Sequence, residues 1–377
     1  MDIVCYSHLR WNFVYQRPHH LMSRFAQHFR IFFVEEPVFD TDVAYIELSK
    51  PDQDLWVLLP HLPKDLAETE KDELLSYLLS DLLLQFNSIA HIAWYYTPMA
   101  MSFSKNLRSS LVIYDCMDEL SAFKFAPPAL KQQEKTLLTF ADIVFTGGYS
   151  LYEAKKHSHN NIHLFPSSID KKHFEQARYH IAFKEDQSAI PSPRLGFFGV
   201  VDERMDLDLL SEMAVKRPEW HFVIIGPVVK IDPQRLPQVP NLHFLGQKNY
   251  NELPDYISGW DVAIMPFGIN ASTQFISPTK TPEYLAAGKP VVSTAIHDVI
   301  KAYGDTGLIY IAENADDFIG CIEDALQQDK NLWIKAVDIA LANNSWDVTY
   351  EKMLYQINIA IWLKRTRNHT QNKDQYV

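Results

Sequence analysis

The sequence predicts an α/β protein built from two doubly wound, Rossmann-like domains. Three observations predict this class. Short β-branched and aromatic runs alternate with longer segments of helical period, the strand-like runs are apolar throughout, and the alternation restarts after the polar, proline-bearing stretch 178–193. Apolar strands that alternate with helices are typical of a parallel sheet covered on both faces. A length of 377 residues also exceeds what one ordinary hydrophobic core requires.

The predicted elements fall into two series. Those of the first series are strands at 3–6, 31–34, 55–59, 89–95, 111–114, 143–146 and 162–165, with helices that include 18–28 and 128–140. Those of the second are strands at 195–198, 221–225, 242–245, 262–265, 290–293 and 307–311, with helices at 206–216, 252–258, 282–287 and 315–327. Ligands of open α/β sheets sit beyond the carboxyl ends of the strands, so two such sheets predict a shared cleft.

These series predict the domain boundaries. The first domain is expected at 1–175, completed by a C-terminal helix at 345–367, and the second at 190–335. Residues 176–189 are the expected linker and 368–377 an expected disordered tail. Because Lys364, Arg365 and Arg367 lie near the tail, weak contact with anionic lipid is one interpretation, and a solvated basic tail is the other.

Composition narrows the function classes. The net charge of −12 argues against a broad nucleic-acid surface, which requires clustered Lys and Arg. Cys5, Cys116 and Cys321 are too scattered for a disulfide framework or a thiolate metal cage, and we expect neither a metal nor a cofactor. The N-terminus lacks the basic flank and longer apolar core of a secretory signal, and no apolar run reaches about 18 residues. A cytoplasmic protein is expected.

Segment 275–294 is the most informative stretch. It predicts a helix, capped by Ser277 before Pro278 or by Thr281 before Pro282, that follows the strand at 262–265. A helix N-terminus on a loop beyond a strand, next to a lysine, is a favourable place for a diphosphate. The candidate binding residues are Thr279, Lys280, Thr281 and Glu283, with the Glu283 carboxylate placed to accept hydrogen bonds from a ribose diol. The alternative is an ordinary capped helix with an exposed Lys and Glu.

This segment resembles the donor-binding signature of the group 1 (GT4-like) glycosyltransferases. In that family two Glu residues, eight positions apart, precede a Gly-x-Pro-Val-Val turn; here Glu283 occupies the second Glu position and 288–292 matches the turn. Phe275 stands at the first Glu position, and Pro278 stands where the family usually has Gly, which removes one N–H donor. The resemblance extends from 11 to 346 and is more specific in the second half.

The resemblance implies further donor contacts in the second half. Gly199 forms the turn after the first strand, and Arg204 is the cation that the following loop would deliver to a diphosphate. A planar guanidinium suits bidentate phosphate contact, although Arg204 also has Asp202 and other acids beside it with which it could simply pair. Gln247 and Lys248, after the strand at 242–245, are implied candidates for contact with the nucleobase.

In the first half the candidates are acceptor-side residues. Segment 11–24 resembles a subgroup of the family with a Gln-Arg-Pro-x-His element after the first strand. Its polar side chains are expected at the strand's carboxyl end, as contacts to acceptor or phosphate or as ordinary helix caps: Gln16, Arg17, His19 and His20. Asp118 follows the strand at 111–114, where many relatives place a His, and is the candidate base or hydroxyl-orienting group. A loop-stabilising Asp118 is the alternative.

The resemblance implies a GT-B fold, two Rossmann-like domains that face a central cleft. It implies transfer of a sugar from a nucleoside-diphosphate sugar to a hydroxyl of a glycan or lipid-linked glycan, with retention of anomeric configuration. Arg204 and Lys280 would stabilise the leaving diphosphate in place of a metal. The expected partners are the nucleotide sugar and a carbohydrate or lipid-linked acceptor, without nucleic acid and with weak peripheral membrane association. Two alternatives remain open: a sugar-nucleotide 2-epimerase on the same fold, and a catalytically silent nucleotide-sugar-binding protein.

Overall fold

The computed structural model describes residues 1–180, 182 and 184–374. The chain divides into two compact units. Unit 1 comprises Met1–Pro166 and the segment from Asp347 onward, and unit 2 comprises Ser167–Trp346. Within the described ranges, no helix is long and apolar enough to span a membrane.

Unit 1 is organised around a nine-stranded sheet. Its strands are β1 (Asp2–Tyr6), β2 (Arg30–Val34), β3 (Val38–Phe39), β4 (Tyr45–Asp52), β5 (Leu55–Leu62), β6 (His91–Tyr95), β7 (Ser109–Cys116), β8 (Ile143–Thr146) and β9 (Ile162–Leu164). The order is β3-β5-β2-β1-β6-β7-β8-β9. All pairs are parallel except β4, which pairs antiparallel with β5.

The helices of unit 1 cover this sheet. In chain order they are α1 (Arg17–Phe25), α2 (Glu68–Gln85), α3 (Met101–Ser104), α4 (Leu130–Phe140) and α5 (Tyr149–Lys155), with 3-10 turns at Pro98–Ala100 and Leu120–Ala122. β4 was not predicted because it has no apolar run: its side chains are almost all exposed, and pairing with β5 forms the strand.

Unit 2 contains a six-stranded sheet in which every pair is parallel. Its strands are β10 (Arg194–Phe198), β11 (His221–Ile225), β12 (Leu242–Gly246), β13 (Val262–Met265), β14 (Val291–Thr294) and β15 (Ile309–Ala312). The order, β12-β11-β10-β13-β14-β15, is the Rossmann arrangement in which the connections reverse direction between β10 and β13. Ligands of such sheets bind at that switch point, beyond the carboxyl ends of the two strands.

Helices connect and flank the strands of unit 2. They are α6 (Lys171–Phe174), α7 (Gln176–Tyr179), α8 (Glu185–Ser188), α9 (Leu207–Lys216), α10 (Leu253–Ser258), α11 (Lys280–Ala286), α12 (His297–Tyr303), α13 (Ala315–Gln327) and α14 (Lys330–Ala340), with 3-10 turns at Pro233–Arg235 and Tyr250–Glu252. α7 and α8 lie in the expected linker, which is therefore part of unit 2.

The C-terminal helix α15 (Trp346–Asp374) is longer than the predicted 345–367. Its residues from Asp347 belong to unit 1, where Arg24 pairs with Asp347 and Lys364 pairs with Asp142. Of the tail expected to be disordered, 368–374 is helical, and 375–377 lies outside the described residues.

Candidate functional site

The two loops that follow β10 and β13 are hydrogen-bonded to each other at the switch point of unit 2. The backbone N–H of Gly268 donates to the Arg204 carbonyl oxygen at 2.8 Å, and that of Asp206 donates to the Pro266 carbonyl oxygen at the same distance. Between them, Met205 and Phe267 form an antiparallel bridge. The backbone on either side of the switch point is therefore fixed by main-chain hydrogen bonds, which do not depend on side-chain identity.

Gly199 begins the first of these loops and lies directly against Lys280. Its φ is +139°, and a Cβ there would be 2.2 Å from Cε and 2.7 Å from Nζ of Lys280. Gly226, at the end of β11, has φ of +147°, and its Cβ would be 1.8 Å from the Gly199 carbonyl oxygen. Both positions require glycine, because the backbones and the lysine approach more closely than any side chain allows.

Lys280 is the first residue of α11, and two aromatic rings position its ammonium. Nζ lies 5.5 Å from the centroid of Phe197 and 5.9 Å from that of Phe267, within the range of cation–π attraction. α11 is anchored to β10, since the backbone N–H of Phe198 donates to the Tyr284 hydroxyl at 2.9 Å. The cation is consequently held against the carboxyl end of β10, whereas the sequence placed it only on the loop after the strand at 262–265, and its role in phosphate binding stays a prediction.

The start of α11 differs from both predicted caps. Thr279 is the N-cap residue, and its side chain makes no capping bond. Thr281 is buried, and its hydroxyl contacts Met265 Sδ at 3.5 Å, so its position is that of a packing residue rather than a ligand contact. The seven-residue helix begins between the predicted alternatives because Pro278 precedes it and Pro282 lies within its first turn.

Glu283 places an unsatisfied carboxylate next to Lys280. The residue is only 4% exposed, and Oε2 has no hydrogen-bond partner among the described residues. Burial raises the pKa of Glu283 to about 7, against the opposing effects of the Lys280 charge and a hydrogen bond from Thr279. Other buried polar atoms among the described residues also have no hydrogen-bond partner, including both Glu203 carboxylate oxygens, but Glu283 Oε2 is the one beside the Lys280 charge and has capacity to accept a hydrogen bond.

Arg204 has an internal partner. Its guanidinium holds the buried Asp202 carboxylate, with Nε 2.9 and 3.1 Å from the two oxygens and Nη2 at 2.7 Å. The backbone N–H of Arg204 donates to the same carboxylate at 3.0 Å. The acidic pairing that the sequence left open is therefore formed, and Asp202 fixes the orientation of the Arg204 side chain, which remains 24% exposed.

The two candidates for base contact differ in their surroundings. Gln247 is exposed, immediately after Gly246 at the end of β12. Lys248 is engaged within unit 2: its ammonium lies 2.6 Å from an Asp186 carboxylate oxygen and over the Tyr256 ring. Spacing alone did not reveal this partner, because Asp186 is distant in sequence and lies on α8.

Unit 1 presents a different arrangement after β1 and β7. Arg17 is 2% exposed and binds the fully buried Asp115, with contacts between 2.9 and 3.2 Å from Nε and Nη2. Its Nη1 donates to the Phe165 carbonyl oxygen at 2.8 Å. Burial alone would lower the pKa of Arg17, but the Asp115 charge raises it above its ordinary value. Arg17 is thus held in a buried ion pair within unit 1, which argues against the contact to acceptor or phosphate that we expected.

His19 and its neighbours form the beginning of α1. Nδ1 of His19 accepts from the Gln16 backbone N–H at 3.2 Å, and Nε2 lies 2.7 Å from the Trp11 carbonyl oxygen. Gln16 is the N-cap residue, His20 is buried, and the Tyr15 ring contacts both histidines. Helix capping, the interpretation that the sequence left open for this segment, is therefore observed, because both His19 nitrogens bond within the segment.

Asp118 lies half-buried in the loop after β7. Its carbonyl oxygen is 3.6 Å from Cys116 Sγ. The adjacent Glu119 is bound by Lys155 at 2.7 Å and by the Ser121 hydroxyl. These contacts fix the backbone of the loop, and the catalytic role of Asp118 stays a prediction.

Sequence reasoning named Asp202 as a possible partner of Arg204 but missed other residues that position the site in unit 2. Gly226 admits the Gly199 backbone, and Phe197 with Phe267 borders Lys280. Gly226 could have been found, as Gly199 was, because a glycine directly after a predicted strand is a visible signal. Phe197 and Phe267 could not, because in the sequence they look like ordinary core residues. Across the described parts of the chain, no three His, Cys, Asp or Glu side chains are grouped as a metal site would require.

The sequence and the fold both match known proteins. Residues 192–328 match the family described as glycosyl transferases group 1. A relative from Bacillus subtilis (strain 168), described as a putative teichuronic acid biosynthesis glycosyltransferase, is 26% identical over 282 residues, an alignment that covers 69% of this chain and 70% of that protein.

Solved structures of similar fold extend the match to almost the whole chain. They include sucrose-phosphate synthase from Thermosynechococcus elongatus (TM-score 0.69, 14% identity, 96% of this chain and 99% of that one). The catalytic domain of starch synthase IV from Arabidopsis thaliana, bound to ADP and acarbose, is also similar (TM-score 0.65, 11% identity, 96% and 99%). At these identities the likeness concerns the fold, which confirms the predicted fold class. The solved structures thus show the fold of the chain, and residues 192–328 of unit 2 additionally match the group 1 glycosyltransferase family.

Proposed function

We propose that this protein transfers a sugar from a nucleoside-diphosphate sugar to a hydroxyl of a polysaccharide or lipid-linked glycan, with retention of anomeric configuration and without a metal. The donor binds in unit 2 at the carboxyl ends of β10 and β13. Lys280 and Arg204 bind the diphosphate, Glu283 binds the ribose diol, and Gln247 lies on the side of the nucleobase.

One observation carries this proposal: the contact of Gly199 with Lys280 next to the buried Glu283. The switch point of a Rossmann sheet is where nucleotides bind. There, the side-chain-free backbone of Gly199, the Lys280 ammonium and the unpartnered Glu283 Oε2 come together. Backbone that a ligand can approach closely, a cation for phosphate and a carboxylate for a diol are the groups a nucleoside diphosphate requires.

In the proposed reaction, the bond between the sugar C1 and the diphosphate oxygen breaks and a bond between C1 and the acceptor oxygen forms. The acceptor proton passes to a leaving phosphate oxygen, so the balance needs no further reactant. Lys280 and Arg204 stabilise the negative charge that develops on the leaving diphosphate, and this is where preorganised cations contribute most to rate. Asp118 would orient the acceptor hydroxyl.

The acceptor proposal draws on the Bacillus subtilis relative, whose description names teichuronic acid biosynthesis. We propose that this chain likewise acts in the biosynthesis of a polysaccharide, on the polysaccharide itself or on a lipid-linked glycan. Such acceptors are assembled at a membrane surface, so the proposal includes a cytoplasmic protein with peripheral attachment to the inner face of that membrane.

The nucleotide site is tested by thermal unfolding in the presence of UDP, GDP, ADP and their sugar conjugates. One nucleotide family should raise the melting temperature, since a ligand that binds only the folded state stabilises it. Glu283→Ala with Arg204→Ala should abolish the rise. The matched control is Glu212→Ala with Arg235→Ala, which removes an exposed acid and an exposed base elsewhere in unit 2. If no nucleotide raises the melting temperature, the donor site is refuted.

Transfer itself is measured with the nucleotide sugar that binds and a polysaccharide acceptor, and the product is analysed by NMR for its anomeric configuration. Retention and unchanged turnover after EDTA treatment are expected. Inversion would contradict the stereochemical part, and loss of turnover restored by Mg²⁺ would contradict metal independence. Conversion of the nucleotide sugar without any acceptor would instead identify an epimerase.

A further inference from the structure

One face of the C-terminal helix α15 exposes four large apolar side chains. Their exposed fractions are 64% for Tyr355, 36% for Ile359, 64% for Trp362 and 39% for Leu363. The spacings of four, three and one positions place all four on one side of a helix. We call this set the α15 stripe. A continuous apolar stripe of this kind on a surface helix indicates an interaction site, whereas single exposed apolar residues do not.

The opposite face of α15 accounts for the packing of the helix. Met353, Ile357 and Ala360 are buried, and Lys364 pairs with Asp142 at 2.6 Å. The α15 stripe is therefore not needed to hold the helix on unit 1.

A shallow groove continues the α15 stripe. It has a volume of about 450 Å³ and is lined by His163, Leu164 and Phe165 on one side and by Glu351, Lys352, Tyr355 and Gln356 of α15 on the other. Tyr355 belongs to both the groove and the stripe, so the apolar stripe continues into a groove of mixed polarity in which Glu351 and Lys352 carry opposite charges.

Charge identifies the occupant. From 351 to 374 the chain carries five Lys and Arg residues against two acids, Glu351 and Asp374, in a protein whose net charge is −12. Electrostatic interactions at a surface extend over only about 8–10 Å at physiological salt, so the local charge decides which partner binds. An exposed apolar stripe with Trp, followed by a cationic segment, is the pattern of a helix that lies in the interface of an anionic membrane.

We propose that the α15 stripe inserts into the surface of a membrane containing anionic lipids, with the exposed Arg365 next to the stripe contacting the headgroups. The proposal specifies the surface for the peripheral attachment suggested above and rests on that part of the proposed function. A second copy of the chain fits less well. Stable protein interfaces require about 800 Å² and 20–30 residues per partner, and the stripe offers four side chains over about two turns.

The test measures co-flotation of the full chain with phosphatidylcholine vesicles that contain or lack 50% phosphatidylglycerol. The chain should bind the anionic vesicles, and binding should weaken as salt is raised. Ile359→Glu with Trp362→Glu should weaken it by about tenfold or more, because apolar burial supplies much of the affinity of interfacial helices. The matched control, Leu332→Glu with Ile339→Glu, changes two exposed apolar residues of α14 and should leave binding unchanged.

Three results would overturn the proposal. These are no binding of the unaltered chain to anionic vesicles at low salt, equal binding by the Ile359→Glu/Trp362→Glu variant, and a dimer of the chain that this variant dissociates. The last result would assign the α15 stripe to self-association. The thermal shift with nucleotides, measured without vesicles, should be the same for all variants. A failed nucleotide shift therefore refutes the donor site, whereas failed flotation refutes only the membrane surface.

Discussion

The carboxyl ends of the two sheets use similar residues for different purposes. In unit 1, Arg17 and Asp115 are both buried and satisfy one another. In unit 2, Lys280 and Glu283 are also neighbours, but Glu283 Oε2 has no partner among the described residues. The sequence shows polar residues after an apolar strand in both places. The two places therefore differ in available hydrogen-bonding capacity: the Arg17–Asp115 pair is satisfied internally, whereas Glu283 can still accept a hydrogen bond from the donor that we propose.

Free energy explains why this difference is informative. A buried carboxylate held by a guanidinium has its oxygens occupied, and breaking that pair is costly. A buried carboxylate with an unpartnered oxygen destabilises the folded chain, and a ligand that donates to that oxygen recovers the loss. The ion pair of unit 1 is thus expected to stabilise the fold, whereas Glu283 is expected to destabilise it and to contribute to ligand binding.

The largest expected effect is a loss of stability on replacement of Arg17 in unit 1. Arg17→Met leaves Asp115 buried without a counter-charge and should lower the free energy of unfolding by about 3–5 kcal/mol. Chemical denaturation measures it. The double variant Arg17→Met/Asp115→Leu should recover much of the loss, since neither charge remains. A loss below about 1 kcal/mol in the single variant would contradict a structural role for Arg17.

The second effect is a pH dependence from Glu283. Its pKa of about 7 in the folded chain lies above the ordinary 4.5, so the folded state binds more protons than the unfolded chain between these values. The free energy of unfolding should therefore fall as the pH rises from about 4.5 to 7. Glu283→Gln should be more stable than the unaltered protein by about 3 kcal/mol at pH 8 and nearly equal at pH 5.

Glu283→Gln should change nucleotide affinity in the direction opposite to its effect on stability. Glu283→Gln should bind the nucleotide more weakly at pH 8 although the protein is more stable, because an amide replaces one carboxylate acceptor with a donor. Calorimetric titration at pH 8 measures this. Equal affinity of the two proteins would show that Glu283 is not a ligand contact.

A smaller effect is expected from Lys280→Met. Loss of the ammonium should weaken binding of a nucleoside diphosphate by about tenfold or more, since a hydrogen bond to a charged group contributes about 1.5–3 kcal/mol. Affinity for the corresponding nucleoside should not change, and this comparison within one variant is the control. If nucleoside and diphosphate lose affinity equally, Lys280 supports the fold of the site rather than the phosphates.

The smallest effect is expected from Lys248→Met. The Lys248–Asp186 pair lies near the surface, and such pairs contribute about 0–1 kcal/mol. We expect a change in stability within that range and a nucleotide affinity within about twofold of the original. A change in the preference among UDP, GDP and ADP would restore Lys248 as a base contact.

Much of the fold followed from the sequence. The parallel strands were predicted because both faces of a buried parallel strand are apolar, which leaves a continuous run such as 221–225. β4 was missed because its side chains are exposed and its strand conformation comes from pairing with β5. The linker at 176–189 was predicted from polarity, whereas α7 and α8 form there in unit 2.

For the site, the sequence by itself determined which residue types stand after which strands: Gly199, Lys280 and Glu283 were all identified from local pattern and resemblance. Only the tertiary structure decided which of the polar residues bind one another. Arg17 is 98 positions from Asp115, and Lys248 is 62 from Asp186. A local pattern specifies backbone conformation because that depends on neighbours in sequence, but the partner of a buried charge depends on which strands the sheet brings side by side.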